Sequence, residues 1–403
     1  MRVAVFIEAF PKLSETFVID HITSLIDRGL EVDVFARRDS NETPQPAVGR
    51  YNLRARTHYA SGNSRFDRVC KLARALLLLL ICRPRCLAAL AGPAISVSKF
   101  DIIRISASVL ASHRRYDIVH SHFGPNGILV ARLRELGLLA EAKCVTTFHG
   151  YDVSSYVRQY SANVYAELFR SGDQFIAIGN EMKQRLIDMG CNAAKIAVIP
   201  MGVDVTRLQP TTNKSTSGRQ ILSVGRLVEK KGHTYAIAAV SLLVLLYPDL
   251  QYSIIGDGPL RDALEAQILE HGLARNVTLL GARSSDEVEA MLDKTDVFLT
   301  PSVTGADGDT EGNPVANMEA MAKALPVISS FHSSIPELVE DGVAGFLCKE
   351  RDVQGIATTL DRLFGDSKLR RSLGRAGRLR VEQLHNRVEL TTALIRLYST
   401  LVR

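Results

Sequence analysis

The sequence predicts an α/β protein of two successive domains, each a parallel sheet with helices between its strands. Three observations lead there. A chain of 403 residues is too long for one ordinary hydrophobic core. Short apolar runs alternate with longer helical patterns along most of it, as buried parallel strands and their crossover helices do. A polar tract near the middle, "PMGVDVTRLQPTTNKSTSG" over 200–218, has the Pro, Gly and Ser content of a connector.

The strands follow in order. "RVAVFI" (2–7), "EVDVFA" (31–36), "DIVHSH" (117–122), "CVTTFH" (144–149), "QFIAIG" (174–179) and "IAVIPM" (196–201) form the first series. "RQILSVG" (219–225), "LQYSIIG" (250–256), "NVTLLG" (276–281), "DVFLTP" (296–301) and "LPVISS" (325–330) form the second. The first domain is therefore expected over 1–200 and the second over 201–385. From about 367 the pattern is helical with no further strand, and a last helix over about 386–403 could pack back on the first domain, which the sequence alone does not settle.

The apolar fraction of 46% is that of a globular protein. After Met1 the chain enters a strand-like run, so no secretory leader is expected. "ALLLLLIC", Ala75 to Cys82, is too short to span a bilayer. Cys70, Cys82, Cys86, Cys144, Cys191 and Cys348 are scattered without a CxxC pair, which predicts a reduced, cytoplasmic protein. The formal charge of +6 is uneven: Arg50 to Arg115 holds thirteen Arg or Lys against Asp67 and Asp101, a net +11, leaving −5 elsewhere. This places an anionic surface or ligand at one segment. Zinc-finger spacing and an aromatic RNA-binding signature are missing, so nucleic acid is not expected as a partner.

In open parallel sheets, ligands bind beyond the carboxyl ends of the strands. The unusual polar residues follow those ends. "FPKLSETF" follows the first strand, His120 and His122 end the third, and "HGYD" (149–152) ends the fourth. Arg226 follows "ILSVG", "GDGP" (256–259) follows "YSII", and "DGDTEGNPVANMEAMAKA" follows "VFLTP". In the last of these, Asn313 and Pro314 predict a helix start, Asn as N-cap and Pro at the first helical position. Free backbone N–H groups and the positive dipole end suit phosphate there. Glu311 lies just outside that end and Glu319 about 7 Å further along the axis, at 1.5 Å per residue. Carboxylates bind hydroxyls and repel phosphate, so one glutamate is expected to hold a sugar and the other a ribose. Two surface glutamates on an ordinary helix are the plain alternative. Arg226 and Lys231, at a strand–helix junction, suit an anionic leaving group.

The combination resembles glycosyltransferase family 4, retaining enzymes of the GT-B fold. "GRLVEKKG", "IIGDGPL", "VTLLG", "DVFLTPS", the Glu311-x7-Glu319 stretch and "SIPELVEDGVAGFL" (334–347) stand in family order across the second domain. "PMGVD" matches the usual interdomain turn. "FPKLSETFV", "HSHFG" and "TFHGYDVS" resemble the colanic acid and exopolysaccharide branch. The resemblance implies two Rossmann-like domains facing across a cleft. It implies that Arg226 and Lys231 neutralise a donor diphosphate, that Glu311 contacts the transferred sugar and Glu319 the ribose, and that His149 sits near the reacting centre. Backbone from Gly312 and Asn313 to Val315 and Ala316 would meet the phosphates and sugar, with Gly281 and Arg283 also on the donor side. The acceptor side would involve Ser14, Glu15, Thr16, His122 and Asp152. The chain departs from many members in having "PKLSETF" where they carry a glycine-rich loop, and helix capping is an equal reading of Ser14 to Thr16.

The implied activity is transfer of a sugar from a nucleoside diphosphate sugar to a polyprenyl-diphosphate-linked glycan, at the inner face of the cytoplasmic membrane. Another GT-B chemistry, an epimerase or phosphorylase, and an inactive sugar-nucleotide-binding subunit are the alternatives. No cofactor and no metal are expected. Asp307 and Asp309 have D-x-D spacing, but GT-B enzymes use protein cations, and His120 and His122 lack a visible third ligand. "RVCKLARALLLLLICRPRC" (68–86) interleaves cations with an apolar run and is expected to dock on an anionic membrane. Its plain alternative is the core face of a helix.

Overall fold

The structure is a computed structural model that describes residues 1–43, 45–62, 64–82, 97–211 and 218–403, with the side chain of Cys82 excepted. Cys86, Arg83 and Arg85, and the connector stretch 212–217, lie outside the described residues.

The chain divides into two compact units, 1–178 with 182–199 and 391–403, and 179–181 with 200–390. Unit one holds a sheet of β1 (Arg2–Phe10), β2 (Glu31–Asp39), β3 (Thr57–Tyr59), β4 (Ile118–His122), β5 (Lys143–Thr147), β6 (Gln174–Ala177) and β7 (Ile196–Val198). Its order is β3-β2-β1-β4-β5-β6-β7, and every pairing is parallel. Unit two holds β8 (Gln220–Val224), β9 (Gln251–Ile255), β10 (Val277–Gly281), β11 (Val297–Leu299), β12 (Val327–Ser330) and β13 (Phe346–Cys348). Its order is β10-β9-β8-β11-β12-β13, again parallel. The expected α/β class is thus observed, with two edge strands, β3 and β13, that the hydrophobic pattern missed.

Helices connect the strands because a parallel pair needs a crossover. The strand order reverses between β1 and β4 and between β8 and β11, and crevices for ligands open beyond the carboxyl ends at such points. In unit one Val3, Val5, Ile7, Val34 and Ile118 pack beneath Ile19, Ile22 and Leu25 of the helix Thr16–Asp27. Leu394 and Tyr398, from the last helix Arg387–Val402, belong to this same core. In unit two Ile221, Tyr252, Ile254 and Val297 pack against Ile237 and Val240 on one face. Leu222, Phe298 and Val327 pack against Met318 and Met321 on the other.

The basic segment in unit one contains the helix Arg65–Cys82. Only part of it is core: Ala75 and Leu79 pack on Ile103 of the next helix. Phe66, Val69, Leu77, Leu80 and Ile81 are between 58% and 79% exposed. The helix thus carries an inward seam and an outward apolar stripe. Among the described residues no helix is long and apolar enough to cross a membrane.

Candidate active site

In unit two the site is built from the two loops at the switch point. After β8 the chain passes Gly225 and the exposed Arg226, then makes a tight turn over Glu229–Lys231. Gly232 closes that turn at φ +68°, where an added Cβ would lie 1.9 Å from the Pro301 carbonyl oxygen. Only glycine lets the turn sit this close to the β11 loop. Successive side chains on the turn take different partners. Lys230 is buried, pairs with Asp309 at 2.9 Å and donates to the Thr310 carbonyl at 3.3 Å. Lys231 Nζ lies 2.5 Å from Glu311 Oε2.

Burial alone would raise the Glu311 pKa, but the charges of Lys231 and Lys230 overcome it and hold the carboxyl at about 2. Its backbone is fixed as well. The Glu311 N–H donates to Nε2 of His332 at 2.9 Å, and His332 Nδ1 lies 2.5 Å from Glu350 Oε1. Accepting at Nε2 leaves the His332 proton on Nδ1, facing Glu350. Glu350 also accepts from the backbone and hydroxyl of Thr304. Burial would raise its pKa too; these hydrogen bonds and His332 bring it below the usual range.

The helix begins one residue later than expected. Pro314 is the N-cap and Val315 and Ala316 open the helix Val315–Ala322, so Asn313 is not the cap. Proline cannot donate but its carbonyl accepts from Asn317 N at 3.0 Å, which is the role a cap carbonyl plays. Thr300 Oγ1 donates to Asn317 Oδ1 at 2.6 Å and ties the helix to the end of β11. Gly312 and Asn313 are buried just before it, and Glu319 is half-buried on its fifth position. Gly281 ends β10 with φ +73°. Arg283, beyond it, lies 3.9 Å from Glu287.

Asp307 and Asp309 are committed inside the loop. Asp307 Oδ1 accepts the Asp309 N–H at 2.9 Å, and Asp309 faces Lys230. They make a turn and an ion pair.

Unit one brings four histidines together. His149 Nε2 lies 3.0 Å from His122 Nδ1, and His122 Nε2 lies 2.7 Å from His21 Nδ1. His21 Nε2 contacts the Tyr398 hydroxyl at 3.3 Å, which contacts His120 Nδ1 at 2.5 Å. His120 Nε2 reaches Thr147 Oγ1 at 2.8 Å. Burial lowers the pKa of His149 to about 3 and of His21 to about 4, and takes His120 and His122 well down as well. His149 packs against Phe17 and Phe123, each with ring centroid 4.6 Å away.

The expectation that His120 and His122 lack a third partner is corrected by His21, whose ligand nitrogen comes within 4.8 Å of theirs. The 2.7 Å approach of His21 to His122 is a hydrogen bond, shorter than the ~3.3 Å between nitrogens that share a tetrahedral ion at 2.0–2.1 Å each. The described geometry is a hydrogen-bonded chain.

Asp152, expected on the acceptor side, is turned inward. It has no exposed surface, and its oxygens accept from the backbone N–H groups of Gly124, His149 and Gly150 at 2.8 to 3.0 Å. It shapes the loop that presents His149. Ser14 is exposed, Glu15 pairs with Lys12 at 2.9 Å, and Glu15 makes no side-chain cap bond to the helix after it. Sequence reasoning missed Lys230, His332, Glu350, His21 and Tyr398. His332 follows the end of β12 and obeys the rule used for the other loops. Tyr398 and His21 sit at ordinary core positions of helices and carry no local signal.

Family models match both halves: one described as "Glycosyltransferase Family 4" over residues 14–207, the other as "Glycosyl transferases group 1" over 204–380. The chain is 42% identical over 376 residues to WcaL of Escherichia coli K12, which carries the name of a colanic acid biosynthesis glycosyltransferase, covering 89% of this chain and 90% of that one. The chain belongs to glycosyltransferase family 4. It is 38% identical over 370 residues to the amylovoran biosynthesis glycosyltransferase AmsK of Erwinia amylovora, with 90% of each covered. A further relative, 32% identical over 284 residues and covering 66% of this chain and 70% of its own, is the UDP-Gal:alpha-D-GlcNAc-diphosphoundecaprenol alpha-1,3-galactosyltransferase of Escherichia coli. Among solved structures, a sucrose-phosphate synthase of Thermosynechococcus elongatus matches with TM-score 0.74 at 18% identity, covering 100% of this chain and 99% of that one. Anabaena HepE, in complex with UDP and glucose, matches with TM-score 0.74 at 18% identity over 99% and 100%. The fold of this glycosyltransferase is therefore GT-B.

Proposed function

We propose that this glycosyltransferase moves a sugar from a nucleoside diphosphate donor to a hydroxyl of a lipid-linked glycan in exopolysaccharide synthesis, with retention at the anomeric carbon. The Lys231–Glu311 pair carries the reading. It holds a cation and an ionised carboxylate together, beyond β8 and β11 and before a helix N-terminus. A diphosphate arriving there competes for Lys231 and draws on the exposed Arg226 and the free N–H groups around Val315 and Ala316. Glu311, released from Lys231, accepts a sugar hydroxyl. Glu319 holds the ribose. The galactosyltransferase relative is named for a UDP-sugar donor and a diphosphoundecaprenol-linked acceptor, which supports the same classes here, and WcaL and AmsK support the pathway.

The substitution is a same-face one with no covalent intermediate. The bond from the anomeric carbon to the leaving phosphate oxygen breaks. The acceptor oxygen bonds on the same face, and its proton passes to the departing phosphate. The protein supplies preorganised positive charge and positioning. No metal is needed for that charge, and Asp307 and Asp309 are otherwise engaged.

The enzyme is peripheral at the cytoplasmic face. The outward stripe of the Arg65–Cys82 helix, Phe66, Val69, Leu77 and Leu80, has spacings of three, eight and three residues, which keep it on one helical face, and is flanked by exposed Arg65, Arg68 and Arg74. That pattern fits an amphipathic helix lying in an anionic headgroup layer.

The test is release of nucleoside diphosphate from a panel of UDP-, GDP- and ADP-sugars with a polyprenyl-diphosphate-linked acceptor, with and without EDTA. Acceptor-dependent release that survives EDTA supports the reading. Donor binding with no turnover on any acceptor would favour an inactive sugar-nucleotide-binding subunit. Release abolished by EDTA and restored by Mg²⁺ or Mn²⁺ would overturn metal independence.

A further inference from the structure

The chain from His149 to Thr147 has a property that none of its members has alone. Five contacts join six groups: His149, His122, His21, Tyr398, His120 and Thr147. Each neutral ring or hydroxyl carries one mobile proton. Five links need five protons, and the sixth rests at one end. A link with two protons or none leaves a buried polar atom unsatisfied, which is costly. So the protons align in one of two ways. In the first, every histidine carries its proton on Nε2, His149 donates to His122, and Nδ1 of His149 is a bare acceptor. In the second, every histidine carries it on Nδ1, and His149 presents an N–H outward from the same atom.

We propose that Tyr398, from the C-terminal helix, is a positioning residue that couples these rings, so that the proton state of the outward nitrogen of His149 is set collectively along the buried chain. Switching moves one proton across each of the five links, takes one proton up at Nδ1 of His149 and gives one up from the Thr147 hydroxyl, so that every ring is neutral in both alignments. The exchange with the surroundings is one proton in and one proton out, and no oxidant or metal takes part. The low pKa values of all four histidines agree with rings that remain neutral near neutral pH. The chain's relevance to turnover rests on the proposed placement of His149 near the reacting centre. The outward nitrogen would then donate to, or accept from, a hydroxyl of the transferred sugar.

The experiment is nitrogen-15 NMR of the full chain labelled at histidine, at neutral pH, with single His→Asn variants for assignment. The wild type should show one tautomer population shared by His21, His120, His122 and His149. Tyr398→Phe keeps the ring but removes the middle hydroxyl, and His120 should then titrate its tautomer independently of the other three. Turnover of Tyr398→Phe should fall about tenfold in kcat with KM for the donor changed less than twofold. Three results would overturn the proposal. One is unequal tautomer populations in the wild type, a reading that survives if the variant fails to fold. Another is unchanged kcat in a folded Tyr398→Phe. The third is one tightly held zinc per chain that is lost in His21→Ala, because an ion would occupy the nitrogens that the chain requires. A wild type with matched tautomers but no glycosyl transfer would instead overturn the functional reading and leave the coupling standing.

Discussion

Lys231 Nζ stands 2.5 Å from Glu311 Oε2, with both side chains less than one-fifth exposed. The two residues come from different loops, 80 positions apart in sequence, and each is held by other groups: Lys231 by the turn closed at Gly232, Glu311 by His332. Desolvated charges so placed lose little to solvent screening. Pairing them with each other keeps both ionised until an anionic ligand arrives.

Lys231→Ala should therefore reduce turnover by about 100-fold, roughly 3 kcal/mol of lost stabilisation of the leaving diphosphate. Donor binding should weaken less. Steady-state kinetics with calorimetry separates the two, and Arg226→Ala should act in the same direction. Normal turnover in both single variants would remove these cations from the reaction.

The two glutamates should separate by ligand. Glu319→Gln should weaken both the free nucleoside diphosphate and the intact donor, because each carries ribose. Glu311→Gln should weaken the intact donor and spare the free diphosphate. Calorimetry with both ligands decides it, and the opposite pattern would exchange the two roles.

Acid stability should be lost in two stages. His149 and His21, with folded pKa values of about 3 and about 4, are held below their ordinary 6.5. A group with a depressed folded pKa contributes stability that is full above its unfolded pKa and lost as pH falls toward the folded value. Each such histidine thus costs about 1.4 kcal/mol per pH unit below 6.5. Glu311, depressed to about 2, adds a second loss that begins only below about 4.5. Tm measured from neutral pH downward should start to fall near 6.5. A flat Tm from 6.5 to 4.5 would mean that these rings are not held neutral.

The sheet skeleton was legible because buried parallel strands are apolar throughout and recur between helices. β3 and β13 were not, since three residues are too few to show a period; the equally short β7 and β11 were visible because apolar residues continue past their ends in "IAVIPM" and "DVFLTP". The loops from Arg226 to Glu319 were legible because glycine, proline and charged residues cluster where strands end. The pairing of Lys231 with Glu311 was not, since it depends on how the 229–231 turn splits its two lysines. His21, His120, His122 and His149 come together from separate elements of unit one, and Tyr398 joins them only when the C-terminal helix returns there, a contact across more than 370 residues.

Liposome co-sedimentation tests the membrane assignment. The enzyme should pellet with vesicles containing anionic lipid, remain in solution with neutral ones, and be released at high salt as charges are screened. Replacing Arg65, Arg68 and Arg74 with Gln, or Leu77 and Ile81 with Glu, should abolish pelleting while leaving Tm unchanged, because these side chains are exposed. Equal recovery in the supernatant with both vesicle types would reduce the helix to a structural element.

The central claim, glycosyl transfer with retention, is tested most directly by proton NMR of the product's new linkage. A donor that supports turnover with the lipid-linked acceptor is followed through the first turnovers, and the anomeric coupling constant of the transferred sugar is compared with that in the donor. The account predicts the same anomeric configuration in both. A product of inverted configuration would contradict it, since inversion requires attack from the face opposite the departing diphosphate.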